Sequence, residues 1–199
     1  MKVFTKLMVG AFVVTILGVV GGNQTVSADI EENIPGSNVA NYFNNKVVTI
    51  QSEMNRGMVL DWDQSNLDQV IMYNSATSWN QKWNMFYNFA TETYTLSTDP
   101  HQFNGFIKSA SLSVSEKSFD SKGNPRIATT GLNSNWRLYK VGVENLLGDG
   151  LFVLQNTETG KVLDIENGTP SQGQKLVATE GEGRGTSSQR FRIHVVGNV

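Results

Sequence analysis

Trp79-Asn80-Gln81-Lys82-Trp83-Asn84-Met85-Phe86 decides how this chain is read: a polar pair leads into a tryptophan that opens a strand-like run. Weaker copies follow at Asn133-Ser134-Asn135-Trp136-Arg137-Leu138-Tyr139 and at Ser187-Ser188-Gln189-Arg190-Phe191-Arg192-Ile193. Trp83 and Trp136 stand 53 residues apart, and Trp136 and Phe191 stand 55 apart. A near-constant period with an aromatic at the same point of each unit marks an internal repeat. Three copies are too few for a solenoid, but they suit a closed, roughly threefold β structure.

Outward from the motif, short β-prone runs alternate with turn residues. In the first unit the runs are 46–50, 57–62, 70–73 and 83–86, separated by Asn, Ser, Asp and Gly. The second unit offers 91–96, 106–108, 112–114 and 136–139, with a polar loop over 118–130. The third offers 151–154, 161–165, 175–178 and 191–196. Short strands with closely spaced turn signals indicate an all-β barrel or sandwich, and no segment sustains an amphipathic helix. Four strands in each of three units predict a β-trefoil, with pseudo-threefold repeats at about 45–89, 90–142 and 143–196. A sandwich would not produce the threefold echo.

The N-terminal segment reads differently. Lys2 and Lys6 give a positive start, residues 7–20 are apolar apart from Gly10, Thr15 and Gly18, and Val26-Ser27-Ala28 sets small residues before a cleavage point. Residues 1–28 therefore read as a secretory signal peptide, and the apolar run is short for a membrane span. The expected product is an extracellular protein with no span after processing. Residues 29–44 read as a tether, whose end can pack on the domain through Tyr42 and Phe43.

The whole chain has 16 basic and 18 acidic residues; without residues 1–28 it keeps 14 basic ones and a net charge of −4. A mildly acidic domain without a basic cluster is a poor ligand for nucleic acid or anionic lipid. The absence of cysteine excludes a disulfide framework, thiol catalysis and thiolate metal sites. Stability must come from an apolar core, which a domain of this length can build.

A Gly-x-x-Leu-Asp turn, an apolar strand and then Gln-x-Trp before a last strand, echoed three times, resembles the ricin B-type β-trefoil lectins over residues 45–196. Gln81-Lys82-Trp83 matches the motif fully. Gln189-Arg190-Phe191 has phenylalanine for tryptophan, and Ser134-Asn135-Trp136 keeps the tryptophan and loses the glutamine. The run Asn80-Gln81-Lys82-Trp83-Asn84 is also similar to the small hemagglutinin subunits of clostridial toxin complexes. The motif is structural first. Each aromatic fills a share of the core, burying roughly 150–250 Å², and the glutamine satisfies backbone groups where strands turn.

The resemblance implies a sugar site made of an aspartate after the first turn, an aromatic about a dozen residues on, and an Asn-Gln pair beside the motif. The carboxylate takes hydrogen bonds from vicinal hydroxyls, the amides donate and accept, and the ring covers the sugar's C–H face. The first unit holds the full set in Asp61, Tyr73, Asn80 and Gln81. Singly, each reads as a turn or strand residue; together and in order they define the main carbohydrate-binding site. The third unit holds a weaker set, Asp164 and Gln189, with Ala178 at the aromatic's place and Ser188 for the asparagine. The second lacks the aspartate in Phe106-Ile107-Lys108 and has Ser134 for glutamine, so it reads as scaffold.

Other chemistry fits less well. Asp61-x-Asp63-x-Ser65 imitates a calcium loop, but Asn66 replaces its glycine and Met72 its closing glutamate, so no metal or other cofactor is expected. Gly181-Glu182-Gly183-Arg184-Gly185 lacks the strand–helix context of a phosphate cradle. His101 and His194 have no Gly-x-Ser-x-Gly partner, and no acid pair is marked out for glycoside hydrolysis, so catalysis is not expected. The reading is a secreted, non-catalytic carbohydrate-binding module whose partners are glycans or glycoconjugates. The alternative is a protein-interaction subunit of a secreted toxin or hemagglutinin-type complex, with degenerate sugar sites.

Overall fold

Each copy of the aromatic motif opens the last strand of a four-stranded unit. The computed structural model describes residues 42–129, 134–141, 150–181 and 184–199. The expected leader (1–28) and residues 29–41 of the expected tether lie outside the described residues, as do Asn133, Glu182 and Gly183. The first unit comprises β1 (Lys46–Ser52), β2 (Met58–Trp62), β3 (Val70–Asn74) and β4 (Trp83–Asn88). The chain continues through β5 (Thr93–Ser97), β6 (His101–Phe103), β7 (Phe106–Lys108), β8 (Ser113–Phe119), β9 (Pro125–Ala128) and β10 (Trp136–Lys140). The third unit comprises β11 (Gly150–Asn156), β12 (Val162–Ile165), β13 (Gln174–Thr179) and β14 (Phe191–Asn198).

Pairing closes the fold. The strands β1, β4, β5, β10, β11 and β14 bond each to the next, and β14 returns to β1, so six strands form a ring without an edge. Three hairpins, β2–β3, β8–β9 and β12–β13, cap one end, where β13 pairs with both β3 and β9. A closed barrel removes the unpaired strand edges that invite aggregation. With the β-trefoil thus formed, Trp83, Trp136 and Phe191 each start the fourth strand of a unit, all fully buried. The Trp83 indole N–H donates to the Leu60 carbonyl and that of Trp136 to the Leu112 carbonyl, whereas Phe191 carries no such donor.

Three sequence expectations change. The second unit's expected middle strands were 106–108 and 112–114; the run 112–114 opens the middle strand β8, but the other middle strand is β9, which lies in what reads as a polar loop. Pro125 takes the first position of β9, where a strand tolerates the missing N–H. Phe106-Ile107-Lys108 instead forms an added hairpin, β6–β7, turning through Asn104 and Gly105 with φ of 48° and 83°. Positive φ at both positions is the two-residue hairpin turn that Asn-Gly favours.

At the domain's ends, Phe43 is buried and packs edge-on against Tyr94 and Phe152, so the tether's last residues belong to the core. β14 runs to Asn198, opposite Lys46, two residues beyond the expected boundary. The third unit also holds one backbone position that depends on glycine. At Gly185, φ is +73° and an added Cβ would lie 2.7 Å from Val153 Cγ2. Gly185→Ala is expected to destabilise the protein by about 1–3 kcal/mol, measurable by urea denaturation.

Candidate functional site

Hairpin β2–β3 and the 3-10 turn Trp79–Gln81 place the four first-unit residues around one cavity. Asp61, Tyr73, Asn80 and Gln81 all line it, with Asp63, Gln64, Ser65, Ile71, Ala76 and Ser78, in a volume of about 360 Å³. Val59 pairs with Tyr73 across the hairpin and Asp61 with Ile71, so strand alternation turns Tyr73 and Asp61 outward while Leu60 and Met72 enter the core. Tyr73 is 37 % exposed and keeps a ring face available at the rim. No basic side chain lines the cavity among the described residues.

The polar network is specific about what remains free. Asn80 Nδ2 donates to Asp61 Oδ1 at 2.7 Å and to the Trp62 carbonyl at 3.1 Å. Gln81 Nε2 donates to Asp61 Oδ2 at 2.8 Å and to the Asn74 carbonyl at 2.9 Å, and its Oε1 accepts from the Ala76 N–H at 2.8 Å. Two hydrogens per amide are thereby used, and because every partner of each nitrogen is an acceptor the amide orientations follow from the network. Gln81 therefore positions Asp61 and the turn and has no donor left for a ligand. Asn80 Oδ1 is buried without a hydrogen-bond partner. With the amide hydrogens of Asn80 and Gln81 spent inside this wall, a ligand that reaches Asp61 or Asn80 Oδ1 must donate. Burial pushes the Asp61 carboxyl up to about 6, against the pull of the Gln81 and Asn80 donors and with the help of the nearby Asp63 charge.

Asp63, Gln64 and Ser65 are lining residues beyond the expected set. Asp63 Oδ1 accepts from the Ser65 N–H and hydroxyl at 2.8 and 2.6 Å, which is how a short aspartate turn holds itself.

The third unit builds a second, wider cavity of about 660 Å³. It includes Asp164 and Gln189, together with Asp120, Lys122 and Asn124 from the second unit's β8–β9 turn. Gln189 repeats the role of Gln81: Nε2 reaches Asp164 Oδ2, Thr179 Oγ1 and the Glu180 carbonyl, while Oε1 accepts from the Thr186 N–H. Asp164 Oδ1 is buried without a partner.

The expected place of the aromatic is corrected here. Ala178 pairs with Leu163 and is core, whereas Thr179, opposite Val162, occupies the position of Tyr73 and donates to Asp164 Oδ2. No aromatic ring lines this cavity among the described residues. In the second unit the counterpart of Asp61 is Ser113, not a residue of 106–108. Ser113 follows Leu112, which accepts the Trp136 indole as Leu60 accepts that of Trp83, and its hydroxyl donates to the Ala128 carbonyl. That unit has neither the acid nor the glutamine.

No protein-family model matches the sequence, and no curated protein matches it. Solved structures do match. A mosquitocidal holotoxin is 24 % identical over 77 % of this chain, with a TM-score of 0.59; the match covers 18 % of that much longer chain. A lactose complex of a ricin B-like lectin from Macrolepiota procera is 16 % identical over 76 % of this chain and 96 % of its own, with a TM-score of 0.57. The designed threefold-symmetric protein ThreeFoil is 21 % identical over 75 % and 99 %, with a TM-score of 0.55. By fold, this chain is a β-trefoil.

Proposed function

We propose that this chain is a secreted, non-catalytic carbohydrate-binding module whose main sugar site is the first-unit cavity. The observation that carries the reading is one cavity lined by the Asp61 carboxylate, by Asn80 with its unpartnered Oδ1 and by a half-exposed Tyr73. Sugar hydroxyls donate to such acceptors while a ring stacks on the sugar's apolar face. Asp164 and Gln189 form a weaker second site that lacks the ring. The leader-like residues 1–28 support export. Glycoside hydrolysis needs two carboxyls flanking the bond; Asp61 and Asp63 come from one strand end and its turn, and Asp63 is held by Ser65.

A glycan array of residues 29–199, multimerised because one shallow site binds weakly, tests the reading beside Asp61→Ala. The expected result is sugar binding that disappears in the variant, with circular dichroism showing both proteins folded. Binding that survives in Asp61→Ala would move the site to Asp164. A folded wild type that ignores every glycan would favour a second reading, a subunit that docks on another protein. The 70 % and 77 % exposure of Phe106 and Ile107 supports that alternative.

A further inference from the structure

The connections from the first to the second strand of a unit span residues 53–57 in the first unit and 157–161 in the third, but 98–112 in the second. The surplus is hairpin β6–β7, which no trefoil strand requires. Its neck is closed: the Thr98 N–H donates to the Ala110 carbonyl, the Ala110 N–H to Thr98 Oγ1, and the Leu112 N–H to the Leu96 carbonyl. Its position follows from one face of β6. His101 and Phe103, two residues apart, point the same way. His101 stacks on Trp79 with ring centroids 3.8 Å apart and planes 12° off parallel. Phe103 meets Trp62 and Trp79 edge-on at 5.2 and 5.6 Å, and Trp62 meets Trp79 at 5.6 Å.

The two rings that the hairpin grips are the chain neighbours of Asp61 and Asn80. Trp62 follows Asp61 on β2 and faces the opposite side of that strand. Trp79 precedes Asn80 in the 3-10 turn, and Asn80 Nδ2 is bonded to the Trp62 carbonyl. The third unit has Ile165 and Ser187 at the corresponding places and no inserted hairpin. The unit with the full acceptor-and-ring set is therefore the one with an aromatic brace behind it.

We propose that hairpin β6–β7 is the positioning element of the first-unit site, with His101 and Phe103 fixing the Trp79–Gln81 turn and so the distance between Asn80 Oδ1 and the Asp61 carboxylate. This rests on the first-unit cavity being the ligand site. Neither residue touches the ligand; both act through Trp79 and Trp62. His101→Ala, the double variant His101→Ala/Phe103→Ala and His101→Phe separate the roles, read by titration with the best glycan from the array and by hydrogen exchange at the Gln81 and Lys82 amides. The expected result is at least a tenfold rise in Kd for the double variant and faster exchange at both amides, with the thermal midpoint close to wild type. His101→Phe, which restores a stacked ring, should return Kd to within about threefold of wild type.

An unchanged Kd and unchanged exchange in the double variant would overturn the proposal while leaving the sugar site intact. If wild type binds no glycan, the proposed function fails, and exchange alone decides whether the hairpin holds the turn. Should the double variant unfold, excision of residues 100–109 with a two-glycine bridge across the closed neck supplies the same two readings.

Discussion

Trp83→Ala is expected to lower the free energy of unfolding by about 3–5 kcal/mol, among the largest losses a single side chain can cause. The indole is fully buried where β4 leaves the cap for the barrel, so truncation removes its transfer free energy and leaves a cavity that the closed ring cannot collapse to fill. The indole N–H also reaches the Leu60 carbonyl at 3.3 Å, at the residue before Asp61. Its removal leaves that carbonyl without this donor. Trp83→Phe is the informative companion, because Phe191 stands at the same point of the third unit without an indole. It keeps most of the buried area and forfeits one hydrogen bond, worth about 0.5–1.5 kcal/mol. Urea denaturation followed by circular dichroism gives both values. A loss below about 1.5 kcal/mol for Trp83→Ala would show that the motif aromatic is not a pillar of the core.

The same comparison shows which features the sequence displays. The aromatic period survives because each copy occupies an equivalent, fully buried place at the start of a unit's fourth strand. The first unit reads correctly because its strands are short, mostly apolar or β-branched runs between strong turn signals. The second unit defeats that reading for local reasons. Asn104-Gly105 inserts a hairpin whose second strand, Phe106-Ile107-Lys108, imitates a trefoil strand. The genuine strand β8 is exposed or half-exposed beyond Val114 and so carries no apolar alternation there. The Asn-Gly pair set between Phe103 and Phe106 is the signal that distinguishes the insert.

At the third site the slip is one of register. Ile165 pairs with Leu176, eleven positions on, whereas Trp62 pairs with Val70, eight on, so the outward position that falls twelve residues after Asp61, at Tyr73, falls fifteen after Asp164, at Thr179, one residue past Ala178. One residue of register exchanges core for surface. Asp61, Tyr73, Asn80 and Gln81 were legible as a group, but their division of labour was not. The order of residues does not reveal that Gln81 spends both hydrogens on Asp61 and Asn74, nor that Trp79 is clamped by a hairpin from the next unit.

Ligand binding at the first site is expected to fall by about tenfold for each pH unit below about 6, because the site works through the ionised Asp61. Burial raises that carboxyl to about 6, the Gln81 and Asn80 donors only partly offsetting it, and no lining cation opposes the shift among the described residues. A protonated Asp61 loses acceptor strength towards the ligand, so affinity is full above the raised value and lost as pH falls through it. Folding responds with the opposite sign. A carboxyl with a folded-state value of about 6 and an ordinary value of 3.8 holds its proton longer in the native state. Its contribution to stability is fully present below about 4 and disappears as pH rises through about 6, a difference on the order of 2–3 kcal/mol. The site is thus kept charged, at neutral pH, at the expense of the fold. Titrations of a binding glycan between pH 4.5 and 7.5, paired with urea denaturation over the same range, should show affinity rising while the Asp61 contribution to stability declines. Asp61→Asn, which cannot titrate, should bind weakly at every pH and flatten this step in stability. An affinity that stays level from pH 4.5 to 7 in wild type would mean that the ligand does not depend on the Asp61 charge, and the acceptor-led account of the site would have to be abandoned.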